Sequence, residues 1–350
     1  MLSSRAGTIL RSLVQQYILE ATPVASQSIT DRCALGVSPA TVRNEMAYLE
    51  QEGYIARPHT SAGGVPSDKG YRYYVESLGS VRLPLEEQRL VSHLFHQVEG
   101  EMEQWLTLAA RLMAQLAQNM AVVSLPKATA CHLQRLELVA LQGSRALLVI
   151  ILRSAKVGRQ LITLDEPVSQ SRLALITDRL NAAYVGLTRS QIAAKKLELS
   201  PTEQRVTDSL VKIMKAEDEQ SYEEPYLDGL HFMLNQPEFT HGHRIQGLME
   251  IVEQRSLLRV IVPRELGSRE VRVVIGGENS EETIRDCSVV IGRYGLPGEA
   301  VGTVGIIGPT RMAYSRTIST VGYLSAVLSG LVAELFGREI SDRLSQNDTN

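Results

Sequence analysis

An α+β fold spread over more than one domain is what this chain predicts, and three patterns predict it. Helix-period apolar stripes with matching start and stop residues fill the first 78 residues. Strand-length apolar runs occupy the middle, and helices and strands are mixed again from Tyr226 to Phe336. At about 150 residues per domain, 350 residues suit two or three domains. Hydrophobic residues are 44% and charged residues 21%, enough to bury sizeable cores. Lys plus Arg is 36 and Asp plus Glu is 39, a net −3 that argues against a uniformly basic nucleic-acid coat. No apolar run approaches the ~18 residues of a membrane span. Met1-Leu2-Ser3-Ser4-Arg5 lacks the apolar segment of a secretory signal, so no membrane partner is expected. Cys33, Cys131 and Cys287 are far apart and odd in number, which excludes a disulfide framework and suits a cytoplasmic, reducing setting.

The first helix is predicted over 4–20, with Ile9, Leu10, Leu13, Val14, Tyr17 and Ile18 on one face and Thr22-Pro23 as its stop. A short second helix follows from Ser26 to Cys33, and Gly36 turns the chain. Ser38-Pro39-Ala40-Thr41 is a strong start signal, with Ser38 as N-cap and Pro39 at the first helical position. The third helix runs to Glu52 and ends at Gly53. Its apolar stripe is Val42, Met46 and Leu49, which turns Ala40, Arg43, Asn44, Ala47 and Gln51 away from it. Tyr54-Ile55-Ala56 and Val65-Pro66 flank a glycine-bearing loop, and Ser67-Asp68-Lys69-Gly70 opens a further helix. Three short helices with a tight turn and a following hairpin describe a winged helix-turn-helix.

The chemistry of that segment suits duplex DNA. Small residues at the start of the third helix permit close approach to a groove. Asn44 can pair with adenine, and Arg43 with guanine or a phosphate. Ser38, Ala40 and Thr41 sit at the helix N-terminus, whose free N–H groups attract phosphate. Arg57, His59, Thr60, Ser61, Lys69 and Arg72 are the candidates for holding the backbone on either side. The charge footprint is weak: residues 1–78 carry seven Lys/Arg against seven Asp/Glu, and only 53–75 lean basic, three against one. Three-helix units with exposed Arg and Asn also occur in proteins that never touch DNA.

Several motifs match a known family. They are Ser38-Pro39-Ala40-Thr41-Val42-Arg43-Asn44-Glu45-Met46, Leu49-Glu50, Pro58-His59-Thr60-Ser61-Ala62-Gly63 and Asp68-Lys69-Gly70-Tyr71-Arg72-Tyr73-Tyr74-Val75. Downstream come Gln236-Pro237-Glu238-Phe239, Ile275-Gly276-Gly277-Glu278-Asn279 and Gly305 to Tyr314. In these the chain closely resembles the heat-inducible transcription repressor HrcA family of bacteria. The resemblance implies a homodimer that binds the CIRCE inverted-repeat operator of chaperone operons, and a partner, the chaperonin GroEL, that assists its folding. It also implies a GAF-like C-terminal domain carrying an inserted α+β dimerisation module. One departure is Gly64, where the family usually carries Arg; on that comparison a wing cation is missing.

On this basis the expected domains are a winged helix-turn-helix at 1–78, a helical connector at 80–125, the inserted module at 127–220, the GAF-like domain at 221–340 and a polar tail at 341–350. The connector is predicted to be helical from Pro84 to Leu125. In the inserted block, His132–Leu141 alternates, Ala146–Leu152 is continuously apolar and reads as buried on both faces, and Leu161–Leu164 returns. Helices follow at about 170–184, 188–198 and 202–217. Beyond it, 271–275, 288–293 and 301–307 read as strands and 319–336 as the closing helix.

Rival chemistries are poorly supported. Gly302, Gly305 and Gly308 lack the Lys-Ser/Thr of a phosphate loop and lie in a Val/Ile run. His231, His241 and His243, and the pair His93 and His96, do not make a metal-ligand pattern. No catalytic motif, metal site or cofactor fingerprint is expected, and an enzyme is the least supported class. The alternative to an operator-binding repressor is a winged-helix regulator gated by a small molecule in the GAF-like domain.

Overall fold

The computed structural model describes residues 2–32, 36–59, 62–98, 101–126, 131–153, 157–219, 225–239, 249, 271–297 and 300–335. The chain divides into two compact units: Met1–Leu125 with Glu224–Gly295 and Gly302–Asn350, and Pro126–Glu223 with Leu296–Val301. Thr60, Ser61, Cys33, His241, His243 and the polar tail lie outside the described residues.

The first unit opens with α1 (Ser4–Glu20), α2 (Ser26–Arg32), α3 (Pro39–Gln51), the short strands β1 (Ile55–Ala56) and β2 (Val65–Pro66), and α4 (Asp68–Ser77). Each long helix starts on a serine. The Ser3, Ser38 and Ser67 hydroxyls accept the N–H groups of Ala6, Thr41 and Gly70 at 3.1, 3.3 and 3.2 Å. Gly53 takes a φ of +76° just beyond α3. The stripes Ile9, Leu10, Leu13, Val14 and Val42, Met46, Leu49 are buried where α1 packs on α3. β1 and β2 pair antiparallel, and Val24 exchanges two backbone hydrogen bonds of 2.9 Å with Gly64. Three helices are thus followed by a short antiparallel hairpin.

The Val24 pairing explains the wing glycines. A Cβ at Gly63 would collide with the Val24 carbonyl. One at Gly64 would meet Leu13 Cδ1 at 2.9 Å, Met46 Cε at 3.0 Å and Ile55 Cδ1 at 3.1 Å. Position 64 therefore faces the domain core. The view of Gly64 as a cation missing from the wing surface needs correcting, because any longer side chain there first displaces three apolar tips.

The connector also departs from expectation. It is not one helical stretch to Leu125 but α5 (Leu85–His96), α6 (Met102–Ala117) and then a strand, β3 (Met120–Val123). Gln118, with φ +52°, breaks the helix, and all four β3 residues are buried in a sheet.

The second unit packs helices on one face of an antiparallel sheet, β4 (Leu133–Ala140), β5 (Arg145–Leu152) and β6 (Val157–Thr163). Its helices are α7 (Gln170–Tyr184), α8 (Arg189–Ala194) and α9 (Pro201–Glu219). Leu136, Leu138, Leu148, Ile150 and Ile162 join Leu173, Leu180, Val206, Leu210 and Met214 in one core. β5 is not buried on both faces as its apolar run suggests: Ala146, Leu148, Ile150 and Leu152 are buried, while Leu147, Val149 and Ile151 are only half-buried. Val139, Val157 and Leu161 are exposed, and the strand register sets Leu147 between Val139 and Leu161.

Back in the first unit come β7 (Tyr226–Asp228), α10 (Leu230–Leu234), β8 (Val271–Ile275), β9 (Cys287–Leu296), β10 (Ala300–Pro309) and α11 (Tyr314–Leu335). The strands form a five-stranded sheet in the order β7-β3-β10-β9-β8. Met120, Val122, Val289, Ile291 and Ile307 pack with Met233, Phe239 and Ile284. Gly302, Gly305 and Gly308 are strand residues. Gly302 makes room for the Tyr294 ring and Gly308 for the Asn119 side chain. By length and composition α11 is apolar enough to cross a membrane, with a mean hydropathy of 1.5, although its apolar residues do not form one unbroken run. Its Val321, Leu324, Leu328 and Val332 are buried, and it packs along α6.

A Cβ at Gly70 would run into the Tyr54 carbonyl oxygen, so α4 depends on glycine to lie this close to the wing. Gly70→Ala is expected to destabilise the protein by about 1–3 kcal/mol. A lower denaturant midpoint would register this, and an unchanged midpoint would show that α4 can shift freely.

Candidate nucleic-acid interface

Burying Val42, Met46 and Leu49 leaves the opposite face of α3 in solvent. Ala40, Arg43, Asn44, Ala47 and Gln51 are all exposed. Among the described residues the Arg43 and Asn44 side chains have no hydrogen-bond or ion-pair partner. The Ser38 and Thr41 hydroxyls sit 3.1 Å apart at the helix start, beside its first N–H groups. Arg5 of α1 donates to Glu45 at 2.7 Å, tying α3 to its neighbour from the side. Tyr48 is 41% exposed on the same outer face, and sequence reasoning missed it. Its signal was its place four residues after Asn44, outside the apolar stripe.

The flanking cations divide. His59 is exposed in the wing. Arg57 lies 3.3 Å from Glu50. Lys69 Nζ donates to the Glu52 carbonyl at 2.7 Å, at the end of α3, and sits 4.2 Å from the Tyr54 ring centroid. Arg72 engages a loop far along the chain. Its Nε donates to Glu278 at 2.8 Å, and a terminal nitrogen donates to Glu278 and, at 2.9 Å, to the Val273 carbonyl. Three of the cations expected to meet phosphate thus have partners within the chain, whereas among the described residues Arg43 and His59 have none.

Arg72 leads to a second cluster. Asp68 accepts the Gly277 N–H at 2.8 Å. Gly276 takes φ +51°, and a Cβ there would collide with the Asp68 carboxylate. Asn279 ties the loop by donating to the Gly276, Ile284 and Cys287 carbonyls. On a separate strand end, Arg311 Nε donates to Glu238 at 2.6 Å, and its terminal nitrogens donate to the Ile18 carbonyl at 2.6 Å and to Gln236 at 3.1 Å. Tyr71 and Tyr314 are buried with ring centroids 5.8 Å apart. Burial raises both phenols far above the ordinary tyrosine range, so they stay neutral. Three downstream motifs and the start of α4 therefore meet in one contact region.

A family model described as HrcA protein C terminal domain matches residues 103–318. The heat-inducible transcription repressor HrcA of Dehalococcoides mccartyi is 54% identical over 338 residues, covering 97% of this chain and 98% of that protein. Its counterpart in Roseiflexus castenholzii is 43% identical over 348 residues, covering 97% and 96%. Among solved structures, a hypothetical protein determined at 2.2 Å resolution superposes with a TM-score of 0.56 at 24% identity, covering 95% of this chain and 98% of that one. Taken with the winged helix and its exposed third-helix face, these matches mean that the chain belongs to the HrcA family of heat-inducible transcription repressors, which regulate rather than catalyse.

Proposed function

We propose that this repressor acts as a homodimer on the CIRCE inverted-repeat operator of chaperone operons, each protomer laying the outer face of α3 in a major groove. The observation that carries the reading is that face: small Ala40 and Ala47 beside Arg43 and Asn44, which have no partner among the described residues, with a capped helix N-terminus for phosphate. Ser38, Ala40, Thr41, Arg43, Asn44 and His59 are the contact residues we favour, with Tyr48 added. Arg57, Lys69 and Arg72 act instead through the partners they already hold. Two third helices would sit about 34 Å apart, or a multiple of one turn.

A GAF-like C-terminal domain is supported by the strand order. Counted from its own first strand, β3, the five-stranded sheet runs 2-1-5-4-3, and residues 126–223 are inserted between its first two strands. The dimerisation role of that insert is supported by the uncovered sheet face of Leu147, Val149 and Ile151 with Val139, Val157 and Leu161. A second copy is the occupant an inverted repeat calls for, since two-fold DNA is matched by two-fold protein. The chaperonin arm, with heat diverting GroEL from the repressor, and a cytoplasmic setting rest on the family.

A gel-shift titration on an inverted-repeat probe, with and without chaperonin, tests the reading as a whole; binding no tighter than to scrambled duplex would reject it. Asn44→Ala is expected to lose about 1–3 kcal/mol of discrimination at one base position in a competition assay. An unchanged base preference removes Asn44 from the reading. Val149→Asp is expected to yield monomers in analytical ultracentrifugation and to weaken operator binding by about a hundredfold through lost avidity. A dimer that survives this substitution would move the interface elsewhere.

A further inference from the structure

The meeting of the downstream motifs with the winged helix has a consequence for how the operator is read. Asp68 and Arg72 lie one turn apart on α4 and engage the Gly277 N–H and the Glu278 carboxylate of the turn that follows β8. Arg311, just past β10, donates to the Ile18 carbonyl in the last turn of α1 while Glu238 and Gln236 hold its other nitrogens. A guanidinium is suited to this work because its fork satisfies several acceptors in fixed directions. Arg311 is 13% exposed, so each of its bonds is shielded from water. None of these groups lies on the exposed face of α3. The chain leaving the winged helix first runs through a short stretch, 78–84, with no regular structure, before α5 and α6 lead it to the sheet.

We propose that Asp68, Arg72 and Arg311 are positioning residues for operator recognition: they lock the winged helix in one pose on the C-terminal sheet, so that a dimer presents its two third helices at one spacing. This rests on the operator reading above. A head on a free tether samples many positions, binds its own half-site normally and tolerates altered spacers. A locked head concentrates at one position and rejects the others. The cluster therefore sets spacing selectivity rather than base contacts. It also accounts for motifs that lie far from α3 in sequence and contribute nothing to its outer face.

The test uses the full chain with Arg72→Met, and Arg311→Gln as an independent break at the other end of the cluster. Three duplexes are compared: the CIRCE-type inverted repeat, the same repeat with its spacer changed by about half a turn, or roughly five base pairs, and a single half-site. Thermal unfolding identifies any variant that fails to fold, in which case the other decides. We expect the preference for the native spacer to fall by about fivefold or more while half-site affinity changes by less than about twofold. Two results would overturn the proposal: spacer preference retained in both folded variants, or half-site affinity falling as far as that for the full repeat. A wild-type chain that binds all three no better than scrambled DNA overturns the operator reading itself, and the positioning role with it.

Discussion

The packing of α1 against α3 is the constraint on which the exposed face of α3 depends. Once Val42, Met46 and Leu49 are buried with Leu10, Leu13 and Val14, the rotational setting of α3 is fixed, because a helix has one face per stripe. Everything that faces solvent on α3 follows from that choice. The Arg5–Glu45 pair, the Ser38 cap and Lys69 on the Glu52 carbonyl hold the same helix from the side, the front and the back. A helix held on three sides presents its outward side chains in one geometry.

The same logic explains why the domain has almost no net charge and still belongs to a repressor, a protein that binds DNA. Its seven cations are matched by seven acids, and the described partners show where several of them go: Arg5 to Glu45, Arg32 to Glu20, Arg57 to Glu50 and Arg72 to Glu278. Exposed pairs such as Arg32–Glu20 add little stability. They do lower the number of cations free to displace counterions from phosphate.

Much of the winged helix was legible in the sequence. α1 runs over the residues its apolar period and the Thr22-Pro23 stop mark out, and the outer face of α3 follows from three apolar residues at helical spacing. Other features were not legible, each for a physical reason. Met120–Val123 continues the apolar run of α6 without a proline or glycine, so period alone could not show the change to a strand. The run in β5 is apolar throughout, yet only its tertiary setting tells which face is covered. Arg72 looked like a phosphate contact because its partner lies 206 residues away. The partners of Arg57 and Lys69, Glu50 and Glu52, are close in sequence, yet charge and spacing alone did not show them either.

The place of the insertion bears on how the chain is made. β3 is a central strand, yet its neighbours β7 and β10 emerge from the ribosome roughly 100 and 180 residues after it. Until both exist, Met-Ala-Val-Val is an apolar segment of nascent chain with two bare edges, while the insert can close its own sheet from contiguous sequence. The five-stranded sheet thus depends on pairings far apart in the chain, whereas the insert's sheet pairs neighbours in sequence, an arrangement under which the insert can fold first.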